Sequence, residues 1–468
     1  MTLLQFLRQA RQVHLQFLAG ALSEPPIYVL GNPSADLDSI ISAIVYSYCA
    51  KDRLPTSTPR PHIPVLNLPH IPAGPELYRL RPEFVTALWL STSLPSLKRE
   101  EQFDNAPESA GKLLRDHLVT VADFARSMKD RSLSSKVLAD ATLVDWNAMP
   151  ERVDGQQGRG SLAGLADVSF RAVACIDHHV DEYFVPRADD LPDNQPMIIQ
   201  PGPGSCSSLI TNEMEKRGLW TADASAAAAA EVAQVAKLAL APVLIDTSDL
   251  KAEGKVTDVD VRAVDFLLRK ITAAADGAPA WNKEAFYEQI LTAKKNSLDL
   301  LTLDEILDRD YKDWTETSGS SGQKVKLGFC SSVKPIRWIV QKAGGARQFT
   351  DAVHSFGASY EKKLDVVVVM TSFTSRDDGF ARELYISTAS DSGVPIDGVK
   401  AFVAQAASEL GLTEWSALDS ESISLADEEI RSALNGDSGP WRRLWVQGNT
   451  KASRKQVAPL LRGAVAKL

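Results

Sequence analysis

Carboxylates and imidazoles in this chain gather where apolar runs end. The stretch YVLGNPSADLDSI, Tyr28 to Ile40, leaves a β-branched run for Gly-Asn-Pro-Ser and then sets Asp36 and Asp38 one residue apart. Further along stand Asn32 of the same stretch, Asp145 in LVDWN, Asp177, His178 and His179 in CIDHHVDE, and Asp246 in VLIDTSDL. Carboxylates with one or two imidazoles and no thiolate make a hard, oxygen-rich site suited to Mg²⁺ or Mn²⁺ rather than to structural zinc. Several carboxylates around one ion leave excess negative charge, so two ions balance the set better. A pair of divalent ions about 3.5–4 Å apart is the usual arrangement for hydrolysing phosphate esters and anhydrides. Taken singly, Asp36 or Asp38 caps a helix more often than it holds a metal, and Asp145 and Asp246 more often begin turns. The coincidence carries the reading: among seven histidines the one adjacent pair follows an apolar run and an aspartate.

The elements that must position these residues follow from hydrophobic pattern. The runs IYVLG, IPVLNL, ATLVDW, RAVACIDHH, MIIQPG and PVLIDT alternate with helical patterns, the rhythm of an α/β domain with a doubly wound, mostly parallel sheet. Carboxyl ends of strands line the ligand crevice in such sheets, which brings distant residues together. The alanine-rich TADASAAAAAEVAQVAKLAL reads as a helix capped by Thr221 or Asp223 and leading into a strand over APVLID. Gly, Pro and polar residues in AADGAPAWNKEAF mark a change of domain near residue 295, giving residues 1–295 and 296–468. Beyond it, LTLDEILDRDYKDW, the loop ETSGSSGQK, and the strands KVKLGFCSS, LDVVVVMTSF and ELYISTAS predict a smaller α+β domain.

Length and composition limit the alternatives. A chain of 468 residues is comfortable as two domains. No apolar run in the sequence pattern reaches membrane-spanning length. A net charge of -9, from 51 basic and 60 acidic residues, argues against a non-specific nucleic-acid binder, so an anionic ligand must meet a local basic patch. Such a patch exists: WRRLWVQGNTKASRKQVAPLLRGAVAKL holds seven Lys or Arg and no acid. Cys49, Cys175, Cys206 and Cys330 are scattered without a C-x-x-C pair, which fits a reducing compartment. The first residues carry Arg8 and Arg11 and no acid before Glu24, a pattern shared with mitochondrial presequences, but scarce serine and the early strand IYVLG favour a docked leading helix and a cytoplasmic protein.

In order along the chain, GNPSADLDS, LVDWN, CIDHH and LIDT resemble the four signature motifs of the DHH phosphoesterases. DRDYKDW and ASRKQVAP are similar to landmarks of the accessory domain shared by manganese-dependent inorganic pyrophosphatases and eukaryotic exopolyphosphatases. The resemblance implies that Asp36, Asp38, Asp145, His178 and Asp246 ligate two divalent ions, Mg²⁺ or Mn²⁺, with Asp145 bridging them. It further implies that His179 faces substrate phosphate, that Lys312, Arg454 and Lys455 grip phosphates, and that Ser453 and Gln456 complete the last motif. Water activated between two ions would attack the terminal phosphorus, with the basic domain closing over the metal domain.

Four residues before Asp36 the pyrophosphatase branch has histidine, whereas the exopolyphosphatase branch has asparagine, and this chain has Asn32. The loss of an imidazole should favour Mg²⁺ and leave the amide to meet phosphate or a metal's water. GSCSSLI, with Ser205, resembles the exopolyphosphatase version of a turn whose backbone N–H groups meet an anion. One departure is Trp146, which stands where the second motif normally has histidine, removing an imidazole that would tune a ligand or protonate a leaving group. Arg337, Arg347 and Arg382 are expected at the surface. The resemblance thus implies a monomeric exopolyphosphatase acting on linear inorganic polyphosphate, with no nucleic-acid or membrane partner. A pyrophosphatase, short-chain polyphosphatase or nucleotide phosphodiesterase of the prune type, or a non-catalytic paralogue, is the alternative.

Overall fold

A computed structural model describes the chain apart from residues 23, 93–106, 131–136, 192–194, 221–225, 275–280, 300, 378, 391–392, 419–425 and 437–439. Thr221 and Asp223, and the middle of AADGAPAWNKEAF, therefore lie outside the described residues. The chain divides into two compact units, Met1–Ser297 and Leu298–Leu468.

The first unit is built on a seven-stranded sheet. Its strands are β1 (Ile27–Leu30), β2 (His62–Val65), β3 (Val137–Val144), β4 (Glu151–Arg152), β5 (Arg159–Leu162), β6 (Leu165–Asp177) and β7 (Met197–Ile199). The spatial order β2-β1-β3-β6 is parallel throughout, and β7 runs parallel to the end of β6. The antiparallel pairings are those of β5, with the start of β6 on one side and with β4 on the other. Register aligns Leu30 of β1 with Leu143 of β3, and Val144 of β3 with Ile176 of β6, so the residues that follow all three strands emerge at one edge. A core of Tyr28, Phe124, Phe170, Leu143 and Val168 lies on one face, joined by Leu18 of the leading helix Leu3–Leu18. That helix is capped by a Thr2–Gln5 capping box and buries Leu3, Phe6, Leu7, Ala10 and His14.

One expectation is overturned. APVLID is not a strand but the last turns of a single helix, Ala226–Asp246, which continues through Pro242. A five-residue apolar run cannot be told from a buried helix by its period, and here the preceding alanines extend a helix already formed. Leu238, Leu240, Val243 and Leu244 are all buried, so the second half of the helix is apolar all round because it is enclosed all round. By length and composition alone this helix reaches membrane-spanning size, which the sequence pattern had not suggested, but 72% of its apolar window is buried inside the unit.

The second unit carries a six-stranded mixed sheet. Its strands are β8 (Tyr311–Thr317), β9 (Lys324–Ser332), β10 (Val366–Thr371), β13 (Glu383–Thr388), β14 (Leu412–Glu414) and β15 (Arg442–Gln447), with β11 (Phe373–Thr374) and β12 (Phe380–Ala381) forming a separate hairpin. Only β9 and β10 pair in parallel. The alternation of β10 explains the layering: Val366, Val368 and Met370 pack with helices Val394–Leu410 and Arg454–Ala466, while Val367 and Val369 pack with Ile336–Ala343 and Ala346–Ala358.

His62 of β2 sits fully buried, its Nδ1 3.0 Å from the Arg60 carbonyl, and burial pushes its pKa down to about 4. Because the unfolded chain binds a proton near pH 6.5 and the folded chain does not, stability is lost as pH falls from 6.5 towards 4. Urea unfolding should show a loss on the order of 2–3 kcal/mol between pH 7 and 4.5 from this residue. A His62→Gln variant should lose that much less over the same interval.

Candidate metal centre

The strand ends assemble the centre. Asp145 follows β3 directly, His178 and His179 follow β6, and Asn32 stands two residues beyond β1. Ligand atoms of Asp145, His178 and His179 lie within 4.8 Å of one another. Asp36 does what its bland reading foresaw, capping helix Leu37–Ala50 through a 3.0 Å bond from Ser39 N, and Asp38 lies in the first turn of that helix. Gly31 lets this helix approach the strand end, since a Cβ there would come within 2.9 Å of the Ser39 carbonyl oxygen. Asp246 arrives from the C-terminal end of a helix rather than of a strand, because its carrier segment is helical.

Asp38 is 3% exposed and its carboxylate receives four donors: Ser205 Oγ at 2.8 Å, Cys206 N at 2.6 Å, Ser207 N at 3.0 Å and Ser42 Oγ at 3.2 Å. The Gly-Ser turn does meet an anion with its N–H groups, and in this structure that anion is Asp38. Burial, with Asp145, Asp246 and Asp36 nearby, still pushes the Asp38 carboxyl well above its usual range, offset only in part by His178. Asp246 is also raised, by burial and by Asp36, with Lys294, Lys255 and His178 opposing.

Asp145, 2% exposed, accepts from Asn32 Nδ2 at 2.7 Å and Ser39 Oγ at 2.5 Å on its Oδ2. Its Oδ1 lies 3.1 Å from His178 Nε2 and 3.6 Å from His179 Nδ1. His178 Nδ1 is 2.9 Å from the Pro203 carbonyl, which can only accept, so the ring proton belongs on Nδ1 and the Nε2 lone pair faces Asp145. Two donors each about 2.1 Å from one ion at right angles lie about 3.0 Å apart, so Nε2 and Oδ1 fit ligands of a shared ion. The converging carboxylates, short of positive charge and rich in oxygen, fit a hard divalent cation in chemistry as well.

Around this centre lies a shell of positioning contacts, in which sequence reasoning gives Asn147 and Asp260 no role. His179 Nδ1 stands 2.7 Å from Asp177 Oδ1. Burial alone would raise Asp177, but His179, His178 and the Asn147 amide hold its carboxyl below the usual range. Asn147 Nδ2 donates to Asp177 Oδ2 at 2.5 Å and to the Val180 carbonyl at 3.0 Å, while its Oδ1 accepts from Glu182 N at 2.8 Å. Asn147 thereby ties the loop after the histidines to the end of β3. Its place two residues after Asp145 was a usable signal. Asp260, fully buried, accepts from Gly204 N, Ser208 Oγ, Thr257 N and Thr257 Oγ1 and so fixes the Gly-Ser turn, but it is 56 residues from Gly204 and nothing local marks it. Trp146 is partly buried and packs on the core around Phe170, taking no polar role at the site.

In the second unit Lys312 lies half-buried on β8. Arg454 and Lys455 open helix Arg454–Ala466, whose capping box joins Ser453 and Gln456. Arg454 donates to the Asp310 carbonyl at 2.8 Å and to its carboxylate at 2.7 Å, and Lys455 is exposed. Arg347 is exposed, as expected. Arg382 is not: it is 6% exposed, its Nε donating to the Thr450 carbonyl at 2.8 Å.

Residues 288–464 match the family model of the DHHA2 domain. Over nearly its whole length the chain is 30% identical to a protein of Schizosaccharomyces pombe named "Putative exopolyphosphatase", the alignment covering 99% of this chain and 98% of that protein.

A carboxyl raised by folding binds a proton that the unfolded chain gives up, so Asp38 and Asp246 cost stability as pH rises from their ordinary range through their raised one. A cation that neutralises them removes this cost. Thermal unfolding in EDTA and in Mn²⁺ should therefore show an ion-induced rise in Tm that is larger at pH 8 than at pH 5; equal rises would contradict the assignment. Asn147→Ala should weaken Mn²⁺ binding by about 10–100-fold in titration calorimetry, through lost orientation of Asp177 and His179.

Proposed function

The chain belongs to the DHH family of exopolyphosphatase-like proteins, and from that membership we propose that it is a hydrolase releasing terminal orthophosphate from linear inorganic polyphosphate. The observation that supports this most is the gathering of Asp145, His178 and His179 at neighbouring strand ends, with Asp38 and Asp246 within electrostatic reach. The name of the S. pombe relative, aligned end to end, supports the substrate class.

The family is metal-dependent, and in this reading two divalent ions, Mg²⁺ or Mn²⁺, are held by Asp36, Asp38, Asp145, His178 and Asp246. Bound there, they supply Lewis-acid polarisation of the phosphoryl group and acidify water at neutral pH. The protein's own groups do the rest. Pro203 keeps the His178 proton on Nδ1, leaving Nε2 as a ligand atom. Asp177 accepts the Nδ1–H of His179 and leaves Nε2 to face the terminal phosphate, where, once it carries the second ring proton, it donates to charge growing on the phosphoryl oxygens. Asn32 gives both amide hydrogens to Asp145, to its carboxylate and its carbonyl, and so fixes the orientation of that carboxylate rather than lying open to substrate, and Ser205 sets Asp38. Residues 1–295 carry the metal chemistry, and residues 296–468 bind substrate through Lys312, Arg454 and Lys455, because phosphoryl transfer depends mainly on positioning and charge stabilisation.

Purified protein should release orthophosphate from long polyphosphate in Mg²⁺ or Mn²⁺ faster than from tripolyphosphate, pyrophosphate or a cyclic nucleotide. Asp145→Asn should lower the rate by about a thousandfold or more. Preference for pyrophosphate or a nucleotide would move the activity to another branch of the family. No turnover with any substrate would leave a phosphate-binding protein without catalysis.

A further inference from the structure

Helix Lys283–Lys295 in the first unit brings Lys294 to the carboxylate centre. Its Nζ lies 3.9 Å from Asp246 Oδ1, and both side chains are 29% exposed. Neither the sequence motifs nor the family resemblance assigns this lysine. Lys294 is the largest of the charged neighbours acting on Asp246, ahead of Asp36, Lys255 and His178. A cation beside a candidate metal ligand has a definite thermodynamic consequence. With the carboxylates bare, the ammonium offsets part of the repulsion among Asp36, Asp38, Asp145 and Asp246. Once divalent ions neutralise that cluster, the same ammonium adds positive charge to positive charge. Only an arriving anion makes it favourable again, and a phosphate bears enough charge and oxygen acceptors to meet both the ions and Nζ.

We infer that Lys294 is a coupling residue: it opposes loading of divalent cations alone and favours their loading together with a phosphate anion. The inference rests on the reading of this centre as a divalent-metal phosphohydrolase site. By linkage, the factor by which phosphate tightens the cations is the factor by which the cations tighten phosphate, and Lys294 contributes to that coupling. The partial exposure of the pair limits its size, since a solvated ion pair is screened.

The test uses the full-length chain and titration calorimetry. Wild type, Lys294→Met and Lys294→Arg are titrated with Mn²⁺ alone, and then, saturated with Mn²⁺, with inorganic phosphate. Lys294→Met should bind Mn²⁺ alone about three- to tenfold more tightly and bind phosphate in the Mn²⁺-loaded protein about three- to tenfold more weakly, with Lys294→Arg restoring both. On polyphosphate, Lys294→Met should raise KM more than it lowers kcat. A lysine that merely holds the helix in place would move both affinities in the same direction, and that result, or two unchanged affinities, overturns the inference while leaving the metal site standing. Failure of Mn²⁺-loaded wild type to bind phosphate overturns the inference and the phosphohydrolase reading together.

Discussion

The candidate site depends on a buried carboxylate with no basic side chain hydrogen-bonded to it. Asp38 is enclosed in the first unit, and its donors are the hydroxyls of Ser42 and Ser205 and the backbone N–H groups of Cys206 and Ser207. These last two open helix Cys206–Lys216, so the partial positive charge of a helix N-terminus faces the anion. Backbone donors orient the carboxylate without contributing a full compensating charge, and its pKa stays raised. A lysine or arginine in their place would have satisfied Asp38 and left it useless as a ligand. The helix terminus holds the carboxylate while leaving its charge unsatisfied.

Keeping that terminus in place takes further layers. Asp260 receives Gly204 N and Ser208 Oγ, bracketing the turn that presents Ser205 to Ser207. Gly204 admits this turn beside the segment after Asp246, because a Cβ would lie 2.6 Å from Thr247 Cγ2 and 2.9 Å from the Lys255 carbonyl. On the other side the buried guanidinium of Arg81 donates to the carbonyls of Ser34 and Ala35. Backbone strain collects at the same places. Ala35, Asp145 and the run Ser248, Asp249 and Leu250 all adopt positive φ, between 44° and 62°, without being glycine. Such conformations persist only where surrounding contacts impose them. Here each lies at, just before, or just after a segment carrying a candidate ligand.

The legible part of this arrangement was the part written in short range. β1, β3 and β6 announced themselves as β-branched runs, and the residues just past their ends were therefore found as a group. Asp36 was read in two ways, as a cap and as a candidate ligand, and the capping is present in the structure. What escaped has a common cause: it is set by packing. APVLID carries the same apolar signature in a buried strand as in a buried helix, and only the enclosure of the second half of helix Ala226–Asp246 on all sides decides between them. Arg382 looked like a surface cation because charge usually stays in water, yet its guanidinium is buried against Thr450 and its pKa is lowered to about 10 by that burial. Asp260 and Arg81 act on the site through backbone atoms far away in sequence, and no local pattern marks a residue whose partner is a distant carbonyl or amide.

Asn32 shows how one substitution at a motif position alters the character of the centre. Its Oδ1 accepts from Ser34 N at 2.9 Å and from the Ser34 hydroxyl, while its Nδ2 lies 2.7 Å from Asp145 Oδ2. The amide cannot be turned over, since that would set oxygen against carboxylate oxygen and nitrogen against a backbone N–H. Asn32 thus presents hydrogens to the centre where an imidazole would present a lone pair. A donor at this position does not add a ligand; it withdraws charge from Asp145 and fixes the direction of that carboxylate. The donor set proposed for this centre is then almost wholly carboxylate, with His178 its one nitrogen. Such a set binds through charge rather than through covalency, and smaller, harder ions gain most from it. Because charge is then the main currency of the site, the cations that border it, Lys294 and Lys255 beside Asp246, weigh more on its affinities than they would next to a nitrogen-rich centre.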